Sequence, residues 1–482
     1  MNLNCNTALL DAYSPTSDNP WDVKKVQHLY RRVGYGISFQ NAKEVVLLDP
    51  GDVIDAIIDE AMNMPPIPPP SWSLDQTDLG VDDFGSIIRE WRATYLRALF
   101  ENGLRDRLSF FWSNHLVVED AAFAQCGYYL YNYTTILQRN ALGDYKAFLR
   151  EMGVSPAMLK YLNGNQNSNS IPNENYAREL YELFTLGEGN GYTEDDIIET
   201  ARALTGYVER QDRCAPYEFK ADKFDNGEKT IFGRTGNWGY DDVIDILFEE
   251  RPNEIATFII EKIYQYFVHP ELPENGIIEG LVATYRNANF HLAPVLRQLF
   301  KSEHFFNSDA MDVIIKSPVD LFLSFYADAG ITFPEDNDYL IRITDWARLS
   351  NQTIFSPPNV AGWRRDRDWI SSPTLIARWT YSERIIRDLF RIDEEPFRDM
   401  AKAIAEESTD VEEISKKIVD HFIPDSLFSE ADYEIALVVF KSDAVPENLF
   451  EDGTWNLDFN TVPKQVCLLL GHLIKQPEFQ LK

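Results

Sequence analysis

Apolar positions along the chain recur mostly at helical spacing. In "DVKKVQHLYRRVGYG" Val23, Val26, Leu29, Tyr30 and Val33 fall three or four residues apart, and Gly34 and Gly36 end the run. "PGDVIDAIIDEAMN" repeats the pattern with Val53, Ile54, Ile57, Ile58 and Ala61. "MPPIPPPSW", from Met64 to Trp72, interrupts it and reads as an extended linker or surface crossing. The same periodicity predicts helices over "SIIREWRATYLRALF" and "LRDRLSFFWSNHLV", and then at 194–206, 241–250, 253–267, 276–288, 292–301, 311–329, 337–349, 373–393, 396–406, 410–422 and 463–475. Alternation is rare. Its best case is "APYEFKADKFDNGEKTIFG", where Tyr217 and Phe219 precede a "DNG" turn and Thr230–Phe232. The pattern predicts a mainly α fold, a large multi-helix globular body with one small β-hairpin element near 215–235, with Gly227 taking positive φ in the turn. Punctuation suggests N-terminal helices over 1–63, a linker at 64–72, a main body over 73–310, a helical segment over 311–393 and a C-terminal helical cap over 394–482, all compatible with one domain.

One helix is unusually rich in polar chemistry. In "NENYARELYELFTLGEGNGYTEDDI", Glu174, Asn175, Arg178, Glu179 and Glu182 share one arc, and Tyr176, Ala177, Leu180, Leu183 and Phe184 share the other. Asn173 is placed as N-cap, three glycines end the helix, and "TEDD" from Thr193 to Asp196 matches a capping box that starts the next one. The arc has two readings. It is a solvated ladder of Glu174, Arg178 and Glu182, with links of about 0.2–0.5 kcal/mol each. Or it faces another wall of the protein, where a glutamate beside an arginine becomes a tuned acid, base or metal ligand.

Composition narrows the partners. The 482 residues are 44% hydrophobic and 13% aromatic, ample for a core, and the formal charge is −32. Such a surface repels phosphate backbones and anionic lipid, so neither nucleic acid nor a membrane is expected as a partner. The start of the chain has no basic and apolar leader pattern, and Cys5, Cys126, Cys214 and Cys467 are far apart with no CxxC pair. These features point to four reduced thiols and a cytoplasmic location, or to an exported protein whose leader was removed.

No motif names a cofactor or a metal: HExxH, the di-iron ExxH, a P-loop, a strand-bound GxGxxG and GxSxG are all missing. Two groups remain. His115 follows Phe110, Phe111 and Trp112, and could join the glutamates in a carboxylate–histidine cluster or be a satisfied core histidine. "PPNVAGWRRDRDWISSP" carries Trp363 and Trp369, which suit stacking on sugar rings, and Arg364, Arg365 and Arg367, which suit carboxylate or sulfate. His28 reads as a partly exposed helical histidine, and His269 shows no metal spacing.

"HLYRRVGYG", "FWSNHLVV", "RNALGDYKAFL", "PAMLKYLNGNQN", the stretch from Pro172 to Tyr207, "DNGEKTIFG", "KSPVDLF" and "PPNVAGWRRDRDWISSPTLIARW" together resemble the bacterial family called "domain of unknown function 1800", in order along nearly the whole chain. The resemblance implies which stretches matter and no reaction. It also implies an export signal in many members, which this chain does not show. The family's hairpin stretch usually has histidine before the aspartate, where this chain has Phe224 before Asp225. Two functions follow. One is an enzyme of hydrolytic type acting on a glycan, with Glu174, Glu179, Glu182 and His115 as catalytic groups and Arg178, Asn175, Trp363, Trp369 and Arg364 as binding groups. The other is a non-catalytic binding or assembly protein, with a glycan or protein partner, whose motifs are packing devices.

Overall fold

The computed structural model describes residues 9–74, 79–208, 214–274, 276–442 and 445–482. Its described residues form 22 α-helices and two small two-stranded antiparallel sheets, so the fold is mainly α. Val23–Val33 shows why. Asp22 caps it by accepting the Lys25 N–H, and Val26, Leu29 and Val33 lie on the buried face. Pro50–Asn63 starts with Asp49 as cap and Pro50 in its first turn, and Met64 then turns extended ahead of the prolines. The predicted capping box is present: Asp196 accepts the Thr193 N–H at 2.9 Å, and Thr193 Oγ1 accepts the Asp196 N–H at 3.2 Å.

The core is one continuous apolar cluster from Tyr13 to Phe479. Val81–Glu101 packs along Asn337–Leu349, and Pro252–Phe267 packs along Ile277–Asn287. Glu395–Ala405, Val411–Phe422, Glu430–Lys441 and Val462–Leu473 pack on one another at the C-terminal end. Each fully buried Leu, Ile or Phe in these seams stabilises the fold by about 1.5–3 kcal/mol before chain entropy is set against it.

Several expectations are corrected. The hairpin does not join Phe219 to Thr230. Strand β1 (Tyr207–Val208) pairs with β2 (Glu218–Phe219), and β3 (Lys229–Ile231) pairs with β4 (Arg234–Gly236). The tight turn therefore falls at Phe232–Gly233, and Gly233 takes φ +81° where Gly227 had been expected to take positive φ. The helix expected from 311 starts at Pro318, capped by Ser317, because Asp320 turns back onto the Ser317 backbone; 311–317 runs free of helix. Cys126 and Cys214 form a disulfide with Cα atoms 5.3 Å apart, which overturns the reading of four free thiols. Cys467 is free, and Cys5 lies outside the described residues. His28 is buried, with Nε2 2.9 Å from the Phe305 carbonyl oxygen.

Candidate functional site

Four segments enclose a cavity of about 540 Å3, within the size range of small-molecule clefts. The Leu104–Ser113 helix is buried on every side and supplies Phe110 and Phe111, with Asn114 at its end. The Pro252–Phe267 helix supplies Gln265 and Tyr266, and its exit supplies His269 and Glu271. The non-helical run 313–317 forms the third wall and pairs with the far end of the chain through an antiparallel bridge from Ile315 to Leu481. The fourth wall is the tryptophan–arginine loop, which contributes Trp363, Arg365, Asp366, Arg367 and Trp369.

One amide fixes this loop. Asn114 Oδ1 accepts the Trp363 N–H at 2.6 Å, and Asn114 Nδ2 donates to the Trp363 carbonyl at 3.2 Å. Gly362 makes the approach possible: its φ is +82°, and a Cβ there would lie 2.3 Å from Asn114 Oδ1. The Trp363 ring then packs on Phe110 with centroids 5.5 Å apart. Trp363 and Trp369 are both buried.

The charges of the wall differ sharply in how they are answered. Asp320 is buried, which alone would raise its pKa, but Arg107 at 2.8 Å and Lys482 at 2.8 Å hold its carboxyl well below the usual range. Arg365 has no carboxylate within salt-bridge distance among the described residues. Its guanidinium lies 4.9 Å from the Phe111 centroid and 5.3 Å from that of Tyr266, and one N–H reaches the Lys262 carbonyl at 3.4 Å. Burial pushes its pKa down to about 10. Lys262, just behind it, is likewise without a carboxylate; burial and then Arg365 lower it to about 8. His269 is 2% exposed and lines the cavity. Its Nδ1 lies 3.0 Å from both the backbone N–H and the carbonyl oxygen of Glu271, and Nε2 is buried with no hydrogen-bond partner among the described residues.

The residues singled out from sequence fall in three places. Trp363 and Trp369 line the cavity; Arg364 is exposed beside it. His115 lies behind the wall. Its Nε2 is 2.8 Å from Tyr145 Oη and 3.1 Å from the Phe184 carbonyl, and Lys262 Nζ approaches its Nδ1 at 3.4 Å. Burial and Lys262 depress its pKa well below the ordinary value. Glu174, Glu179 and Glu182 do not line the cavity. Glu174 and Glu182 hold Arg178 at 3.3 and 3.4 Å, and Glu194 holds it at 2.8 Å, all on the outer side. Glu179 is half-buried, and burial followed by Glu182 raises its pKa. Asn175 donates its backbone N–H to Asn173 Oδ1 at 3.0 Å; the helix begins here, at Asn175–Glu179, and continues as a π-turn over Leu180–Thr185. His115 thus touches the end of the acidic helix through Phe184, while its neighbour Asn114 faces the cavity.

Sequence reasoning ranked Arg365 with its neighbours and passed over His269, Gln265, Tyr266 and Asp320. A loop without a period does not tell which of three adjacent arginines turns inward. "VHPE" after a helix end carries no spacing that separates His269 from any other histidine.

Among the described residues no three of His, Cys, Asp or Glu stand close enough to hold a metal ion, and no helix is long and apolar enough to cross a membrane. A family model described as "Protein of unknown function (DUF1800)" matches residues 28–481. Neither the curated proteins nor the solved structures contain a match to the chain.

Proposed function

Since the chain belongs to the DUF1800 family, whose function is unknown, we propose from its geometry that it binds a ring-bearing, glycan-like ligand in the cavity between Phe111, Tyr266 and the Trp363–Trp369 loop. One observation carries the reading: five aromatic side chains and three carboxamides, Asn114, Gln265 and Gln352, line the same cleft. Flat apolar faces take up the C–H faces of a sugar, and amides exchange hydrogen bonds with its hydroxyls. Asn114 is already committed to the loop backbone, Gln352 Oε1 accepts the Val319 N–H at 2.9 Å and Gln265 Nε2 donates to the Pro270 carbonyl at 3.1 Å, which leaves Gln265 Oε1 and Gln352 Nε2 for the ligand.

Hydrolysis of that ligand is the second reading, favoured by Asp366 and Glu271 lining one cavity, as an acid and a base must. Asp320 is unsuited to proton donation because Arg107 and Lys482 keep it ionised. The Cys126–Cys214 disulfide supports a working place outside the reducing cytosol.

The test is a titration of intrinsic tryptophan fluorescence with neutral and charged oligosaccharides, with product analysis alongside. A saturable change that Trp363→Leu weakens at least tenfold is expected. No saturable change with any saccharide would sink the reading. Product formation that Asp366→Asn and Glu271→Gln both abolish would establish the hydrolytic version.

A further inference from the structure

The cavity wall holds a positive charge that the protein leaves unanswered, in a chain whose formal charge is −32. Of the carboxylates lining the cavity, Asp320 is shared by Arg107 and Lys482, Asp366 has Arg367 Nε at 3.9 Å, and Glu271 is exposed at the rim. None is within 4 Å of Arg365. Phe111 and Tyr266, whose ring centroids are 5.1 Å apart, pack side by side against its guanidinium, and of its donors one N–H is spent on the Lys262 carbonyl. Lys262 adds a second cation next to it, packed on Phe258 at 4.3 Å and on the lone-pair nitrogen of His115. That nitrogen is a lone pair because the two partners of His115 Nε2 are acceptors, so the imidazole there is neutral and gives the lysine no countercharge.

A half-buried guanidinium without a counter-ion is poorly answered, and a buried imidazole nitrogen with no hydrogen-bond partner is costly. Both groups line one cavity, and a single class of ligand relieves both costs. We propose that the ligand carries a carboxylate or sulfate group that pairs with the Arg365 guanidinium, and that His269 Nε2 forms a hydrogen bond with a hydroxyl of the same ligand. The inference rests on the reading of the cavity as a saccharide cleft and narrows it to acidic sugars, either uronic acids or sulfated rings. Arginine suits this role better than lysine, because its fork meets two oxygens at once.

The experiment separates the two claims by using anions without rings and rings without anions. Melting temperature is measured in sodium sulfate and sodium acetate against sodium chloride at equal ionic strength, for the full chain and for Arg365→Met. Sulfate stabilises many proteins by exclusion, so the decisive quantity is the difference between the two chains. The expected result is an extra rise of several degrees in the unaltered chain that Arg365→Met lacks. Equal rises in both overturn the inference. Glucuronate-containing, sulfated and neutral disaccharides are then compared by calorimetry. At least tenfold tighter binding of one acidic form over the neutral sugar is expected, and which of the two wins identifies the anion. Equal binding of the neutral sugar overturns the inference and leaves the saccharide reading standing. An anion effect with no saccharide binding overturns the saccharide reading. Arg365→Met keeps the apolar bulk; should it fail to fold, Arg365→Lys, which keeps the charge and loses the fork, is expected to weaken the acidic sugar and not the neutral one. His269→Gln, which retains a hydrogen-bonding end, is expected to bind more tightly than His269→Leu, and equality of the two removes His269 from the site.

Discussion

Arg178 and Arg365 carry the same group into opposite surroundings. Arg178 stands on the outer side of its helix with Glu174, Glu182 and Glu194 around it, three carboxylates for one guanidinium. Arg365 stands against two neighbouring aromatic rings, with no carboxylate within 4 Å among the described residues. By residue type, the first region looks the more chemical, since it has the glutamates, the arginine and the amide. By physical setting, the second is the more poised, because its charge is half-buried and unmatched. Density of polar residues marks a place where a protein can satisfy itself. Functional poise shows as a group that it has not satisfied.

The sharpest way to break this contrast is to damage the one cavity charge that is fully matched. Asp320→Ala leaves Arg107 and Lys482 buried without a partner, and we expect a loss of about 3–5 kcal/mol in urea unfolding. Asp320 has a folded pKa held below its unfolded value of about 3.9, so its stabilisation is complete above that pH and is lost as pH falls below it. The acid limb of stability should therefore be shallower in Asp320→Asn than in the unaltered chain, and an identical slope would contradict the pairing. The next largest effect concerns the joint between the two regions. His115→Ala removes the contact to the Phe184 carbonyl and opens a hole in the core, for an expected loss of about 2–4 kcal/mol in the same assay. A melting temperature left unchanged would mean that His115 is not part of the packing.

Lys262→Met is expected to go the other way. Its amine is lowered to about 8 in the folded chain, against about 10.4 when unfolded, so the charged form is disfavoured by folding. That penalty is fully present below about pH 8 and is relieved as pH rises toward 10.4. At pH 7 the variant should equal or exceed the parent in stability, and the advantage should shrink between pH 8 and 10. A variant less stable at every pH would show that the lysine is structural. Smallest of all, Arg178→Ala should cost below about 1 kcal/mol, since its ion pairs are open to solvent and screened by salt. A loss well above that would erase the difference between the two regions.

The sequence disclosed helices well because burial writes itself at three- and four-residue spacing, as in Val26, Leu29 and Val33. It disclosed the Thr193–Asp196 cap for the same reason: the signal is local. Strand pairing was misread because Tyr207, the partner of Phe219, lies outside any turn signal and meets it only through the packed body. The disulfide was missed since residues 88 apart in sequence carry no spacing rule. At the candidate site the tryptophan loop was visible by composition. The inward turn of Arg365, the burial of His269 Nε2 without a partner and the company kept by Asp320 depend on contacts between segments far apart, and no pattern along the chain records them.

Asn114 holds the loop by an edge of its backbone. Its side chain grips both the N–H and the C=O of Trp363, much as one strand edge grips another, and it reads no side chain while doing so. The rim of the cleft is thus pinned at Trp363 through its main chain, downstream of a single obligatory glycine. Positions such as Arg364 and Arg367 are free to drift without unseating it, so relatives could exchange what they recognise by swapping this cassette while the helices beneath stay as they are.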